Sequence, residues 1–297
     1  MSETRRLMCI HAHPDDESSK GAATMAKYAQ EGRVRVVTCT GGERGSILNA
    51  SFDRSILQST PLPEVRRKEM AQAAAALGIE QVFLGFVDSG LPEGYPDAEL
   101  PEGCFALAPD AAVIPALVAQ IREFKPQVVT TYDENGGYPH PDHQRVHDAS
   151  MKAIAAAATD QWPELGEPWQ VSKVYYDVSF SFARIAKVND RMLELGLKSP
   201  FAEWMERAAN RPRPPHEAMA RIHVSEFFDK RDAALRAHAS QIDPDGWFFA
   251  APRDIEAEVW PYEDFYLAQT RVGERTEGLE ADLFERVPGL DPAPNVG

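Results

Sequence analysis

Cysteine is scarce: Cys9, Cys39 and Cys104 are the three thiols in 297 residues. They are too few and too scattered for a disulfide framework, and the first two sit in apolar, strand-like runs, which fits a reducing, cytoplasmic setting. Long apolar runs are also missing, none approaching the ~20 residues of a bilayer-spanning helix. The opening Met1-Ser2-Glu3-Thr4-Arg5-Arg6 leads into a short apolar stretch interrupted by His11 and Asp15, so neither a signal peptide nor a membrane partner is expected. Positive charge is in deficit, with 31 Lys and Arg against 46 Asp and Glu and a formal net charge of −15. Broad contact with a phosphate backbone needs clustered cations, so nucleic acid is not an expected partner. No internal repeat is visible. What remains is a soluble chain long enough for one large α/β domain or a core with a smaller attachment.

Apolar runs alternate with helical-period segments through the first half, the pattern of βα units feeding a parallel sheet. Strands are expected over 6–12, 34–40, 81–87, 127–132 and 173–179, and helices over about 17–31, 64–77, 111–124 and 140–158. The fold class is therefore α/β, a Rossmann-like, mostly parallel sheet with helices on both faces, occupying residues 1–183. Stretches 45–63 and 88–109 read as long loops over the carboxyl edge, where sites are usually lined. Residues 184–274 are more polar and helical, broken by Arg211-Pro212-Arg213-Pro214-Pro215, and read as a helical cap or lid contributing to the pocket. Residues 275–297 read as a flexible tail.

Two short clusters carry the chemistry. Directly after the first strand stands His11-Ala12-His13-Pro14-Asp15-Asp16-Glu17, and after the fourth stands His140-Pro141-Asp142-His143. Each alone is compatible with a polar turn. Together they make a metal site, because a borderline cation such as Zn²⁺ takes imidazole and carboxylate ligands while a free carboxylate beside it accepts a proton from water. In the common doubly wound orders the first and fourth strands are neighbours across the reversal of strand order, so the clusters should face one crevice. His13 and Asp16 can point to one place. Asp15 and Asp16 cannot both ligate from one face, so one is ligand and the other base. His143 is preferred to His147 as the distant ligand.

The strings Ala12-His13-Pro14-Asp15-Asp16-Glu17 and Tyr138-Pro139-His140-Pro141-Asp142-His143 resemble the zinc-dependent amide hydrolases of the LmbE and PIG-L superfamily. Further strings, among them Ser18-Ser19-Lys20-Gly21, Thr40-Gly41-Gly42-Glu43-Arg44-Gly45, Leu84-Gly85-Phe86-Val87-Asp88-Ser89-Gly90 and Arg236-Ala237-His238-Ala239-Ser240-Gln241, are similar to one branch, the mycothiol S-conjugate amidases. The resemblance implies one Zn²⁺ per chain, with Fe²⁺ as the alternative metal, bound by His13, Asp16 and His143, and Asp15 as general base. It further implies that His140, as an imidazolium tuned by Asp142, and Tyr138 face the tetrahedral intermediate. Lys20, Glu43, Arg66 and Asp88 would bind substrate, Lys20 at the acyl part. The implied partner is a small-molecule thiol conjugate, a mycothiol S-conjugate, whose amide is cleaved to a mercapturic acid and glucosaminyl-inositol in detoxification. Homo-oligomerisation is left open.

Three rival functions fit parts of the same pattern. The nearest is deacetylation of N-acetylglucosaminyl-inositol in mycothiol biosynthesis, against which Lys20 and the 88–109 loop argue. A mononuclear iron oxygenase would also use two His and one carboxylate, but on a double-sheet barrel rather than a βα layer. A glycan-binding module with a closed structural metal would want a fourth protein ligand.

Overall fold

In a computed structural model of the protein, residues 3–178, 181–209, 217–273 and 278–290 are described. The first half alternates strand and helix as the periodicity requires. In chain order it contains β1 (Arg5–His11), α1 (Asp16–Ser19), α2 (Ala22–Glu31), β2 (Gly32–Thr40), α3 (Leu62–Leu77), β3 (Glu80–Phe86), α4 (Asp110–Phe124), β4 (Val128–Thr131), α5 (Pro141–Ala157) and β5 (Lys173–Val178). The second half contains α6 (Phe182–Glu194), α7 (Ala202–Ala209), β6 (Ala220–His223), α8 (Phe228–Ala237), α9 (Arg253–Val259) and β7 (Tyr262–Thr270). All seven strands form one sheet in the order β3-β2-β1-β4-β5-β7-β6.

Strand β1 pairs in parallel with β2 on one side and β4 on the other, Cys9 lying opposite both Val36 and Thr130. The chain therefore winds outward in both directions from β1, and the strand order reverses between β1 and β4. Both faces of the sheet are covered, so side chains of alternating direction are buried on each. Met8, Ile10, Val37, Val129 and Val174 pack on Val113, Leu117 and Ile121 of α4 and on Val146, Ala149 and Ala153 of α5. Leu7, Cys9, Val34, Val36 and Val128 point the other way, against Met25 and Tyr28 of α2 and Met70 of α3. All three cysteines are free and buried. Among the described residues no helix is long and apolar enough to cross a membrane.

Three expectations need correction. The helix expected over 17–31 is two helices, because the chain turns at Gly21, whose φ of 71° lies in the left-handed region. The region 184–274 is not purely helical. β7 extends the sheet antiparallel to β5, Tyr176 lying opposite Tyr266, and β6 pairs antiparallel with β7, Ile222 opposite Glu263, because the alternating residues of Tyr262–Thr270 bury Phe265 and Leu267 on the sheet's own core. Of the tail, residues 278–290 are docked rather than loose. Leu283, Phe284 and Val287 join that core, and Glu280 accepts hydrogen bonds from Lys173 Nζ (2.9 Å) and the Tyr175 hydroxyl. The Pro-rich break at 211–215 and the stretches 275–277 and 291–297 lie outside the described residues.

Candidate metal centre and active site

β1 ends at His11, and the chain then enters the turn Ala12-His13-Pro14-Asp15 before the single helical turn of α1. Asp16 opens that turn, and its Oδ2 accepts from the His13 backbone N–H at 2.9 Å, which folds the two side chains toward each other. β4 delivers the second cluster. His140 caps the N-terminus of α5, Pro141 occupies its first position, and His143 follows inside the first turn. His143 packs closely on the loop before it: a Cβ on Gly136, at φ 74°, would lie 2.6 Å from the Cβ of His143.

The expected convergence occurs. His13 Nδ1 is 3.3 Å from His143 Nε2, and Asp16 Oδ2 is 3.4 Å from His13 Nδ1 and 3.5 Å from His143 Nε2. Ligands bound to zinc at about 2.0–2.1 Å in tetrahedral directions stand about 3.3–3.4 Å apart, so the three atoms have the spacing of one coordination sphere with a fourth position open. The outer nitrogens support that reading. His13 Nε2 lies 3.1 Å from Asp142 Oδ2, and His143 Nδ1 lies 2.9 Å from the Gly136 carbonyl. Each acceptor fixes the proton on the outer nitrogen and turns the inner lone pair to the centre, the usual arrangement behind metal-bound imidazoles. His140 is near enough that ligand-type atoms of His13, His140 and His143 fall within 4.8 Å of one another, as do those of His13, Asp88 and Asp142. The tighter His13, Asp16 and His143 set is the better cage, because the Nδ1 of His140 accepts from the Asp142 N–H and the carboxylate of Asp142 sits behind His13. His147 points elsewhere, its Nδ1 3.0 Å from the Tyr132 carbonyl.

Without a cation, neighbouring charges carry the balance. Burial disfavours charge on His13, but Asp142, Asp16 and Asp88 outweigh it and hold the imidazole protonated well above its ordinary range. Burial likewise opposes ionisation of Asp16, and Lys20 and His143 overcome it. Asp15 behaves in the opposite way: burial and the adjacent Asp16 push its carboxyl up to about 6. Its carboxylate has no hydrogen bond or ion pair among the described residues.

Several expected roles change with the geometry. Burial, then the neighbouring His13 and His143, push His140 down to about 3, which favours a neutral imidazole over the expected imidazolium. Its Nδ1 accepts from the backbone, which leaves Nε2 as the hydrogen-bearing atom. Asp142 does not tune His140. Its Oδ2 faces His13, and both its oxygens accept from Ser89, through N–H at 2.9 Å and through the hydroxyl. Lys20 does not reach into open space either, since its Nζ is buried and donates to Asp16 Oδ1 at 2.6 Å. Asp88 is buried too, accepting from Arg44 N at 3.0 Å and Gly90 N at 2.7 Å and lying 3.4 Å from His13 Nε2. Glu43 accepts from the Asp88 N–H at 2.8 Å and so ties the two loops together. Arg66 is buried as well: its guanidinium lies over Gly42 and Gly45, one nitrogen donates to the Ser46 carbonyl at 3.3 Å, and its buried Nε has no partner. Tyr138 stands at the mouth, 43% exposed, its ring 4.7 Å from that of His143.

Two groups escaped the sequence reading. The hydroxyl of Tyr132, at the end of β4, donates to Asp16 Oδ2 at 2.6 Å and accepts from Ala12 N at 2.9 Å, while its ring stacks on His143 at 4.3 Å. Its place at the carboxyl end of a central strand was the available signal. Glu17 and His238 form a fully buried pair, Nε2 to Oε1 at 2.6 Å, and 221 residues of separation gave no signal.

Comparisons with known proteins identify the family of the chain. The family profile described as PIG-L: GlcNAc-PI de-N-acetylase matches residues 8–154. A mycothiol S-conjugate amidase from Streptomyces coelicolor is 51% identical over 96% of this chain and 98% of its own. A 1D-myo-inositol 2-acetamido-2-deoxy-alpha-D-glucopyranoside deacetylase from Geodermatophilus obscurus is 39% identical over 97% of this chain and 100% of its own. Among solved structures, N,N'-diacetylchitobiose deacetylase from Pyrococcus horikoshii superposes with a TM-score of 0.59 at 18% identity, over 89% of this chain and 84% of that one, a likeness of fold. The doubly wound sheet and these relatives overturn the iron-oxygenase alternative.

Proposed function

The chain belongs to the PIG-L family of amide hydrolases, and from that premise we propose that it cleaves the amide of mycothiol S-conjugates, releasing a mercapturic acid and glucosaminyl-inositol. The observation that carries the reading is full-length identity of 51% to a relative named for that activity, with the His13, Asp16 and His143 cage supporting it from the residues upward. The two-nitrogen, one-carboxylate donor set with an open position favours Zn²⁺, with Fe²⁺ as the alternative load. The bound cation supplies Lewis acidity toward water and the amide carbonyl.

The residues divide the remaining work. Asp15, with its carboxyl raised to about 6, takes the proton of the attacking water near neutral pH and returns it to the departing amine. His140 offers Nε2–H, and Tyr138 its hydroxyl, to the developing oxyanion. Lys20 holds one oxygen of Asp16 while Asp142 and Asp88 brace His13, so these three shape the cage rather than the substrate. Arg66, whose guanidinium lies over Gly42 and Gly45, and Glu43 on that loop are the groups for the polyhydroxylated head. The partner is a small molecule, and the buried free thiols fit a reducing cytoplasm.

Turnover of a fluorescent bimane conjugate of mycothiol tests the reading. Bimane mercapturate and glucosaminyl-inositol should appear, chelation should stop the reaction, and zinc should restore it. The second reading, deacetylation of N-acetylglucosaminyl-inositol, has the 39%-identical deacetylase in its favour. A higher kcat/KM on the N-acetyl head group than on the conjugate would select it, and turnover untouched by chelation would sink both.

A further inference from the structure

We propose that Glu17 and His238 are positioning residues that set the aim of the Asp15 carboxylate, an assignment resting on Asp15 as the base. The Asp15 carboxylate accepts no hydrogen bond among the described residues. No hydrogen bond to its oxygens sets its direction, so the conformation of its backbone matters the more. That backbone is unusual: φ is 121° and ψ −21° at a residue with a side chain. Such conformations cost on the order of 1–3 kcal/mol and persist only where the surroundings impose them.

The imposing group is Glu17. Its Oε2 accepts the Asp15 backbone N–H at 3.0 Å, and its Oε1 accepts from His238 Nε2 at 2.6 Å and from the Ser18 hydroxyl. Downstream, the Asp15 carbonyl accepts from Ser18 N at 3.1 Å and Ser19 N at 3.2 Å, so the strained residue is clamped at both peptide groups. His238 is itself fixed from outside the turn. It ends α8, whose Ala234 packs against Ala73 and Leu77 of α3, and Ser240, two residues on, is held by Glu69 through N–H and hydroxyl at 2.7 Å each.

Packing does not explain this pair. His238 and Glu17 are both completely buried, and the Nδ1 of His238 has no partner. An unpaired buried polar atom costs about 1–3 kcal/mol, and an apolar side chain would fill the space without that cost. Retaining it makes sense if the imidazole is there to hold Glu17, and Glu17 to hold the Asp15 N–H. Relaxing Asp15 toward an ordinary backbone would turn its Cα–Cβ bond and so change the direction of its carboxylate relative to the neighbouring His13 and Asp16. A misplacement of about 1 Å lowers turnover by roughly 10²-fold.

The test is a double-mutant cycle with Asp15→Asn. His238→Ala and Glu17→Gln should each lower kcat by roughly 10²-fold, with KM within about twofold, one metal retained per chain and metal affinity unchanged. On the Asp15→Asn background, His238→Ala should lower the residual turnover by less than about twofold, since the aim of a side chain that is no longer a base does not matter. A full additional loss on that background overturns the positioning role. Tenfold weaker metal binding in His238→Ala also overturns it, because the pair would then be holding Asp16. If His238→Ala does not fold, His238→Gln carries the same cycle. Full activity in Asp15→Asn alone would instead sink the base itself, so the two failures are distinct.

Discussion

The protein buries two clusters of charge, and they are built in opposite ways. Between α6, α8 and α9, Glu256 is surrounded by cations: Arg184 at 2.6 Å, Arg231 at 2.8 Å and Arg253 at 2.7 Å, with Asp232 taking the remaining charge of Arg253 at 2.7 Å. Burial opposes ionisation of Glu256, and the three guanidiniums overcome it and hold its carboxyl down to about 2. At the carboxyl edge of the sheet the account does not close. Two imidazole nitrogens and a carboxylate oxygen face one another at 3.3–3.5 Å, and Asp15 beside them is raised to about 6 with nothing bonded to its oxygens. A cluster that satisfies itself holds structure together, whereas one left incomplete waits for a cation, a proton or a substrate.

Removing a charge should therefore have opposite consequences at the two places. Asp15→Asn should lower kcat by roughly 10²–10⁴-fold, the usual worth of a general base. Asparagine tolerates the unusual backbone and ends the repulsion with Asp16, so thermal unfolding of the metal-free variant at pH 7 should rise by about a few degrees. A fall in Tm together with retained activity would erase the contrast. Glu256→Ala should do the reverse, costing about 3 kcal/mol in denaturant unfolding because the buried guanidinium of Arg231 and the part-exposed ones of Arg184 and Arg253 lose a shared partner. Acid titration sharpens the difference in sign. The carboxyl of Glu256 lies below its unfolded value of 4.5, so its contribution is complete above about 4.5 and fades as pH falls toward 2. Asp15 lies above its unfolded value of 3.8, so in the metal-free protein it weakens the fold as pH rises from 3.8 through 6. Wild type and the two variants compared from pH 3 to 7 should diverge in these two windows, and parallel curves would refute the difference.

Legibility in the sequence follows the same divide between local and distant determinants. Five strands of the βα layer were readable because each is a compact apolar run closed by a turn residue, and once β1 and β4 were placed beside each other the meeting of His13 with His143 followed from topology. β6 has four residues and β7 follows closely on the helix α9, so nothing local separated them from a cap. Lys20 stands four residues after Asp16, a spacing that on a helix brings an ammonium to a carboxylate. That signal was present but was read toward the substrate. The partners of Asp142 and Glu17 come from remote loops, Ser89 and His238, and side-chain pairing over such separations is decided by the folded crevice alone.

Asp142 joins the two designs, because its carboxylate is fully paired, as at Glu256, yet one of its partners, His13, is a proposed ligand of the open centre. Asp142→Ala would leave His13 Nε2 without its acceptor and free the imidazole to rotate or change tautomer. Losses behind a metal ligand typically weaken binding by about 10–100-fold. Competition against a chelator of known affinity should show that loss, while excess zinc restores most of the turnover. His140 would lose little, since its hydrogen bond is to the backbone N–H of residue 142, which alanine keeps. If Asp142→Ala bound zinc normally and lost turnover instead, the carboxylate would act through His140 after all, and the role drawn from its place behind His13 would have to be abandoned.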